Sequence, residues 1–340
     1  MSTTKPSILS QRIDDAIENE TTEFNKLRDL SYVPPHIWTP IKTICTMANE
    51  AAISDLRVFL FTLQLWNEHL PTLYLYCTQG VKNLELERDY KGKIVYNTSL
   101  DAYSNTNRQE MERQSSRMGL KNRFHDFTVE KCNLLDWVFQ QLTPKQKEYG
   151  VVFCDADICW LGPLPNVDQR CQIGLSMHQI NPIDEQRYGI YNAGFFWFRH
   201  QQTVDRWREA CKTSRFFEQA ALEDLTNGLV PWQVDPFPTT VNYGWWRLYQ
   251  GKQRSDYLAS LWGLKRDPEE KHSGIVIEGE PLVCIHTHWL TNDAMTNSFN
   301  AFVVGRLQLL MKQKKVIAFL KYLARLGSQV ASDALRAKKK

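Results

Sequence analysis

The sequence predicts an α/β fold with a Rossmann-like, mostly parallel sheet and helices on both faces. Residues 41–77 have the pattern of a strand, a helix and a second strand, which is the length of one βαβ unit. A later helix leads into an apolar run at residues 151–154, which has the composition of a buried strand. Strands that alternate with helices in this way lie parallel and are covered by helices on both sides.

The first half of the chain divides into predicted elements in a regular order. Strands are predicted over residues 41–46 and 72–77, and apolar residues at helical spacing predict a helix over residues 52–69 between them. A third short strand is predicted over residues 93–96. Residues 104–122 are polar and charged without a clear period, and we expect a loop or an exposed helix there.

The second half supplies the remaining core strands. A helix predicted over residues 129–142 leads directly into the strand at residues 151–154. An aromatic-rich strand is predicted over residues 191–199, and the last core strand over residues 283–289. Together with the first half, this order supports a doubly wound sheet.

The composition favours one large domain with extensions at both ends. The chain has 340 residues, of which 43% are hydrophobic and 12% aromatic, and this is enough for a large core. We expect a polar arm or helix over residues 1–36, the α/β domain over residues 37–298 and a basic amphipathic helical tail over residues 299–340. An apolar run of about 18 residues and a signal-peptide pattern are both missing, so a cytoplasmic location is predicted. The eight scattered cysteines are expected to be buried and reduced.

Two aspartates, Asp155 and Asp157, stand one residue apart at the end of an apolar run. Side chains at i and i+2 of a strand point the same way, so the two carboxylates converge if the backbone stays extended. Hard oxygen ligands of this kind suit a divalent cation, Mn²⁺ or Mg²⁺, which keeps open positions for phosphate oxygens. The alternative is a pair of loop carboxylates without a metal.

Several motifs follow the aspartates in a fixed order. They are Asn192 and Gly194 before an aromatic block, Trp207, the segment that begins Glu218-Gln219, then Val241-Asn242-Tyr243 and finally residues 283–289. In this order, over residues 37–298, the chain resembles the nucleotide-sugar transferases of the GT-A fold. The closest likeness is to the glycogenin-like family and to the plant-type nucleotide-diphospho-sugar transferases, although Glu218 replaces the usual Asp. The resemblance implies a GT-A-type fold and a hexosyl- or pentosyltransferase of class EC 2.4.

The resemblance also implies which residues bind the donor. Residues after the first strand should line the crevice at the carboxyl ends of the strands, and Lys131 lies on the helix before the aspartates. For Asn49 a helix N-cap is the alternative, and for Lys131 a solvated position. The expected donor-binding residues are Thr46, Met47, Ala48, Asn49, Lys131, Asp155, Ala156, Asn192 and Gly194.

Two histidines, His286 and His288, flank Thr287 at the end of the last core strand, and period two puts them on one side. Either one could complete a metal site with Asp155 and Asp157. His286 is preferred because its place at the end of the strand matches the histidine of the resembled family.

A group of acidic and amide residues is expected to serve the chemistry: Glu218, Gln219 and Asp224. The resemblance puts Glu218 and Gln219 near the reacting carbon of the donor sugar, where they would bind hydroxyls or stabilise oxocarbenium charge. A solvent-facing acidic helix is the alternative. An aromatic set is interpreted either as a sugar-stacking platform or as core: Trp245, Trp246 and Tyr249.

One departure from the resembled pattern concerns phosphate binding. Trp289-Leu290-Thr291 follows His288 where the family carries a Gly and then a Lys-Pro-Trp, so the usual phosphate-binding lysine is missing. Another cation, Lys131 or Arg247, is expected to take its place.

The predicted function is therefore a metal-dependent glycosyltransferase that uses a nucleotide-sugar, with a UDP-sugar preferred, and an acceptor hydroxyl of unknown kind. A glycan, a lipid, a protein and a nucleic-acid base remain open as acceptors. One alternative is a nucleotidyltransferase that makes sugar nucleotides, although the glycine-rich loop of such enzymes is absent. The other is a non-catalytic module that binds a nucleotide-sugar or a glycan.

The tail has an unusual charge. Residues 306–340 hold ten Lys or Arg and one acid, which gives +9, so the rest of the chain carries −6 of the net +3. Apolar residues near helical spacing among these cations predict an amphipathic basic helix or helix pair. Such a tail either packs on the body or makes peripheral contact with an anionic membrane.

Overall fold

The fold is described from a computed structural model for residues 35–337. The predicted N-terminal arm, apart from residues 35 and 36, lies outside the described residues. The strands are β1 (Trp38–Pro40), β2 (Thr43–Ala48), β3 (Thr72–Cys77), β4 (Ile94–Asn97), β5 (Val151–Cys154), β6 (Ile158–Trp160), β7 (Asn166–Asp168), β8 (Ile173–Met177), β9 (Tyr191–Phe198), β10 (Val234–Phe237), β11 (Tyr243–Gly244), β12 (Trp262–Leu264), β13 (Ile275–Ile277), β14 (Glu280–Pro281) and β15 (Cys284–His286).

Helices separate most of these strands, and short 3₁₀ turns cover Glu50–Ala52, Leu86–Arg88, Asp101–Tyr103 and Pro231–Gln233. The α-helices are α1 (Ile53–Trp66), α2 (Gln79–Lys82), α3 (Arg108–Arg113), α4 (Arg123–Gln141), α5 (Pro144–Lys147), α6 (Pro182–Tyr188), α7 (Gln201–Cys211), α8 (Leu222–Thr226), α9 (Trp245–Tyr249), α10 (Ser255–Ser260), α11 (Ala294–Leu309), α12 (Lys314–Arg325) and α13 (Gln329–Ala337).

A central sheet of seven strands has the order β10-β8-β9-β5-β2-β3-β4. The pairs β2–β3, β3–β4, β2–β5 and β8–β10 are parallel, whereas β9 is antiparallel to both of its neighbours, β5 and β8. Because β9 opposes both neighbours, the other six strands all run in one direction. The predicted α/β class with a mostly parallel sheet is confirmed, and β9 is the exception within the sheet.

Helices cover both faces of this sheet, as the alternation along β2 shows. Ile44 and Ala48 face one core, which contains residues of α1 and of the C-terminal helices. Cys45 and Met47 face the other core, which contains residues of α4 and α7. Both faces of β2 are therefore buried, and this explains why its sequence is apolar without a polar alternation.

The helix before the aspartates is longer than predicted, because it begins at Arg123 rather than at residue 129. Asn122 caps it by accepting a hydrogen bond from the backbone N–H of His125 at 2.9 Å. Its first turns bury Arg123, His125 and Asp126. Because these buried residues are polar, the spacing of apolar residues did not indicate a helix there. In the preceding polar segment, α3 is a short helix with a capping box between Asn107 and Glu110.

The C-terminal helices pack on the body of the protein. Tyr322 of α12 stacks on Phe61 of α1 with ring centroids 3.9 Å apart, and its hydroxyl donates to Asp89 at 2.7 Å. Phe319 is fully buried and contacts Trp289 edge to face. For residues 299–337 of the predicted tail, the structure shows the packed alternative, because apolar side chains of these helices belong to the core of the protein. Within residues 35–337, no helix combines the length and the apolar character that crossing a membrane requires.

A small three-stranded sheet, β11-β15-β6, brings His286 at the end of β15 beside the aspartates. β15 is antiparallel to β6, with His286 opposite Ile158, and it is parallel to β11. The eight cysteines are all buried and free, as predicted.

Candidate active site

The two aspartates lie in a tight turn between β5 and β6. The backbone N–H of Asp155 still donates to Gly194 O of β9 at 2.8 Å, and that of Ile158 donates back to Asp155 O at 3.1 Å. The carboxylates therefore converge as predicted, but a turn brings them together instead of an extended backbone. The turn is fixed on one side by β9 and on the other by the pairing of β6 with β15.

Asp155, Asp157 and His286 form a cluster whose ligand atoms all lie within 4.8 Å of one another. His286 Nε2 is 2.9 Å from Asp157 Oδ2 and 3.9 Å from Asp155 Oδ2. His288 Nε2 is 3.3 Å from Asp157 Oδ2, while its Nδ1 is 2.8 Å from Asp55 Oδ2 of α1. His286 is thus placed beside both aspartates, and His288 joins Asp157 to Asp55.

A network of side-chain amides fixes the ring of His286. Its Nδ1 is 2.9 Å from Asn242 Oδ1, and the Asn242 amide nitrogen donates to Asn192 Oδ1 at 2.9 Å and to Ser176 Oγ at 3.1 Å. Since the amide nitrogen of Asn242 is used in this way, its oxygen accepts a hydrogen bond from the Nδ1–H of His286. With Nδ1 held by Asn242, the other ring nitrogen, Nε2, faces the two aspartates.

Gly194 is required by the close approach of His286. A Cβ added at position 194 would lie 2.4 Å from Cε1 of the imidazole and 2.7 Å from its Nδ1. Asn192 Oδ1 also accepts from the Gly194 N–H at 2.9 Å. In the Asn-x-Gly motif, Gly194 therefore leaves room for the imidazole of His286, and Asn192 holds the backbone of Gly194 in place. This explains why the motif has these two residues at this spacing.

Lys131 is buried between three acceptors. Its Nζ lies 3.1 Å from Asp155 Oδ1, 2.8 Å from Glu218 Oε1 and 3.1 Å from Ala193 O. Burial alone would lower the pKa of Lys131, but the two carboxylates raise it above its usual value. An ammonium has three N–H donors, so the contacts within the protein occupy all of them. Lys131 is neither solvated nor free for a phosphate.

Glu218 and Gln219 are held beside Lys131 and β9. Gln219 Oε1 accepts from Asn192 Nδ2 at 3.2 Å and from the Ala193 N–H at 3.3 Å, while its Nε2 donates to Tyr188 O at 2.8 Å. Burial would raise the pKa of Glu218, but Lys131 holds that pKa below its usual value. The carboxyl group therefore stays ionised although it is buried.

The two aspartates have opposite electrostatic environments. Burial raises the pKa of Asp155, and Lys131 only partly offsets this. Burial acts in the same sense on Asp157, but His286 and His288 together hold its pKa well below the usual value. Asp157 in turn raises the pKa of His288 to about 9, against the effect of burial and with help from Asp55. The positive groups beside each carboxylate therefore decide how far burial raises its pKa.

A cavity of about 630 Å³ opens over this cluster, and it is large enough for a small-molecule ligand. Two of the predicted site residues do not line it: Thr46 is buried within β2, and Asp224 is exposed on α8. The predicted site residues that do line it are Met47, Ala48, Asn49, Lys131, Asp155, Ala156, Asp157, Asn192, Gly194, Glu218, Gln219, His286 and His288.

Arg247 has a structural position that differs from the expectation. Its guanidinium is buried and donates to the backbone oxygens of Thr239 and Val241 at 2.8 and 2.9 Å and to Ser176 Oγ at 3.1 Å. Burial lowers its pKa to about 10. Arg247 does not line the cavity, so it is not placed to bind a phosphate there. Trp245 and Trp246 do line the cavity, and Tyr249 does not.

Several residues at the cavity were not predicted. Arg108 of α3 contributes a guanidinium whose centre lies 4.6 Å from the ring centroid of Phe124, and Asp55 contributes the carboxylate that binds His288. Arg108 belongs to a segment without periodicity, and Asp55 lies in the first turn of α1, where an acid is ordinary. Four phenylalanines complete one wall: Phe124, Phe127, Phe216 and Phe217.

No protein-family model and no curated protein matches this chain. Solved structures are similar to it, among them the galactosyltransferase LgtC in complex with donor and acceptor sugar analogues (11% identity, TM-score 0.44). This similarity covers 80% of this chain and 96% of the LgtC chain. The glycosyltransferase GlyE of Streptococcus pneumoniae TIGR4 (12%, TM-score 0.40) covers 80% of this chain and 63% of GlyE. The bifunctional glycosyltransferase WbbM (10%, TM-score 0.44) covers 89% of this chain and 52% of WbbM.

This chain therefore spans less than two thirds of the length of GlyE and of WbbM. The fold class of this chain rests on the strand order and directions given above. All three similar proteins are glycosyltransferases, the class of enzyme that the sequence motifs resemble.

Proposed function

We propose that this chain is a metal-dependent glycosyltransferase that moves a sugar from a nucleotide-sugar to an acceptor hydroxyl, with a UDP-sugar as the donor. The observation that supports the proposal is the convergence of Asp155, Asp157 and His286 on one point at the wall of a cavity of about 630 Å³. The cavity lies where β2 and β5 end, and open α/β sheets bind their ligands at this edge.

The three possible metal ligands, Asp155, Asp157 and His286, fit a divalent cation. Two carboxylates supply hard oxygen ligands, and His286 supplies one nitrogen in the tautomer that the Asn242 contact favours. Mn²⁺ accepts such a mixed set, and Mg²⁺ prefers oxygen ligands. When bound, the cation would neutralise the diphosphate and act as a Lewis acid while the nucleoside diphosphate leaves.

The nucleoside is proposed to lie against the end of β2. Met47 and Ala48, the last residues of β2, line the cavity there. The side chain of Asn49 is already used, because its amide nitrogen donates to Tyr103 O at 2.9 Å and to Thr106 O at 2.7 Å. The Asn49 side chain therefore holds the segment before Arg108 against the cavity wall, and its amide nitrogen is not available to bind the nucleotide base.

The donor sugar is proposed to face Glu218 and Gln219. Lys131 keeps Glu218 ionised, so this carboxylate is suited to stabilise positive charge that develops at the anomeric carbon. Gln219 is fixed by three hydrogen bonds and does not reorganise when a substrate enters. Fixed groups of this kind stabilise a transition state without a reorganisation cost.

The test is the release of UDP from UDP-glucose and UDP-galactose with and without Mn²⁺. The wild-type chain should release UDP only with the metal, and Asp157→Ala should lose this activity by about a thousandfold or more. Asp205→Ala, an exposed change on α7, is the matched control and should behave like wild type. Full activity in excess EDTA, or in Asp157→Ala, contradicts the proposal.

Two further measurements separate the alternative functions from the proposed one. A nucleotidyltransferase would release pyrophosphate from UTP and a sugar 1-phosphate. A binding module would bind UDP-glucose in a calorimetric titration but would release no UDP.

A further inference from the structure

A second cavity, of about 770 Å³, lies at the edge of the central sheet where β2 and β3 begin. Thr43 and Thr72, the first residues of these strands, line it. The active-site cavity is instead lined by residues at the ends of the strands, such as Ala48 and Asp155. Because parallel strands begin at one edge of a sheet and end at the other, the two cavities open at opposite edges. Among residues 35–337, none lines both cavities.

Four lysines from distant parts of the chain line this second cavity, and they are called the lysine cluster here: Lys42, Lys145, Lys271 and Lys315. Among the residues that the structure describes, Glu68 is the one acidic residue that lines it. Lys271 pairs with Glu269, whereas the other three lysines make no ion pair in the part of the chain that the structure describes. The four lysines and one glutamate give the cavity lining an excess of positive charge, and such a lining attracts an anion.

Apolar and aromatic side chains form the floor of the same cavity. Lys42 Nζ lies 3.6 Å from the ring centroid of Tyr149, and Lys315 Nζ lies 5.5 Å from that of Trp66. Cation–π contacts of this kind hold the ammonium groups against the wall. The indole N–H of Trp66 is buried and has no acceptor among the described residues. Leu70 and Leu164 add aliphatic surface.

We propose that this cavity is a second ligand site, for a phosphate ester that carries a ring or a short apolar part. Ammonium groups donate hydrogen bonds and cannot accept them, so they select a ligand rich in acceptors, such as a phosphate. The half-buried side chains of Tyr149, Leu70 and Leu164 suit an apolar group attached to that phosphate. The cavity volume is within the usual range for small ligands.

The site is tested by calorimetric titration with 1-naphthyl phosphate, which combines a ring with a phosphate. The titration uses the full-length Asp157→Ala chain in EDTA, so that the active-site cavity does not contribute through a metal. Inorganic phosphate and 1-naphthol are titrated in parallel. We expect 1-naphthyl phosphate to bind more tightly than either part alone.

Variants of the lysine cluster locate the binding. Lys42→Glu/Lys315→Glu should weaken binding of 1-naphthyl phosphate by about tenfold or more. Lys147→Glu/Lys321→Glu is the matched control, because these exposed lysines lie on the same helices as Lys145 and Lys315 but outside the cavity. It should change the affinity less than about twofold. If the double variant does not fold, Lys145→Glu alone serves as the test, and it too should weaken binding.

Vesicle sedimentation identifies the source of the phosphate. Phosphatidylcholine vesicles with and without phosphatidic acid are mixed with the full chain. Sedimentation that needs phosphatidic acid and is lost in Lys42→Glu/Lys315→Glu assigns the phosphate to a lipid headgroup. Binding of 1-naphthyl phosphate without sedimentation assigns it to a soluble ligand. The proposal is overturned if wild type binds neither probe, or if the double variant and its control bind equally well.

Discussion

Single residues at the candidate site hold one another in place, and the metal-ligating group depends on them. Asn242 fixes the ring of His286, and Lys131 holds the carboxylate of Asp155. Neither positioning residue has a donor to spare for a ligand. Supporting residues of this kind orient a metal ligand and tune its affinity.

The two histidines should differ in their effect on activity. His286→Ala removes the nitrogen that lies beside both aspartates, and we expect Mn²⁺-dependent UDP release to fall by about two orders of magnitude or more. His288→Ala removes a residue that contacts Asp157 from the outer side, and we expect a loss of about tenfold or less. The measurement is the rate of UDP release over a range of Mn²⁺ concentrations. The opposite ranking would assign the ligand to His288.

Lys131 should matter for stability as well as for activity. Lys131→Met leaves Asp155 and Glu218 without their buried cation, and loss of one partner of a buried ion pair destabilises a protein by about 3–5 kcal/mol. Urea unfolding measures this difference. Lys131→Met/Glu218→Gln should recover part of the lost stability, because one buried charge is removed with its partner. Lys321→Met, an exposed change on α12, should have little effect on stability.

Some site residues were predictable at this scale and others were not. Asp155 and Asp157 were predicted because their spacing at a strand end implies convergence, whereas His286 was preferred because its place at the end of the last core strand matches the histidine of the resembled family. Arg108 and Asp55 were not found, because each reaches the cavity through the packing of a loop or a helix that has no motif of its own.

At the scale of elements, the site depends on β9, the strand that runs against its neighbours. The strands β2 and β5 bring their carboxyl ends to the cavity, whereas β9 brings its first residues, Asn192 and Gly194. Sequence patterns predicted this strand but not its direction, because an apolar strand that is buried on both faces looks the same in either direction. The turn after β5 was not predicted either, since the Asp-x-Asp spacing fits both an extended strand and a turn.

Gly194→Ala should disturb the histidine and the metal site together. The new methyl group would lie 2.4 Å from His286 Cε1, so the ring must move. Overpacking of this kind destabilises by about 1–3 kcal/mol, and Mn²⁺ affinity should fall with it. Gly305→Ala in α11 is the control, because nothing lies within 4 Å of the added Cβ. It should stabilise the chain by up to about 1 kcal/mol. Unfolding curves and Mn²⁺ titrations of both variants decide the point.

At the scale of the whole molecule, one core joins the first strand of the sheet to the last helices. Ile44 of β2 and Ala334 of α13 belong to the same apolar cluster, together with Phe319 and Leu323 of α12. The predicted boundary between a catalytic domain and a tail at residue 298 stays a prediction, and the shared core shows why sequence cannot fix it. A basic amphipathic helix has the same pattern whether its apolar face meets a membrane or a protein.

Removal of residues 314–340 should damage the fold. Without α12 and α13, Phe61 and Trp289 lose the aromatic partners that cover them. We expect the urea midpoint to fall and the unfolding transition to become less cooperative. Tyr322→Phe is the milder test. It removes the hydrogen bond to Asp89 and should lower the free energy of unfolding by about 1–3 kcal/mol. Equal urea midpoints for the truncated and complete chains would show that the tail does not stabilise the body.

The pairing of β6 with β15 has a consequence for how the chain reaches its native state. It joins Asp157 to His286, which are far apart in sequence, and contacts of that kind form only after a large loop has closed. Before that loop closes, Asp155 and Asp157 are present without His286 as a third ligand for the metal. Tight Mn²⁺ binding during refolding should therefore develop no earlier than the long-range pairing itself. Once present, the ion would slow the loss of that pairing, because it binds the folded chain in preference to the unfolded one.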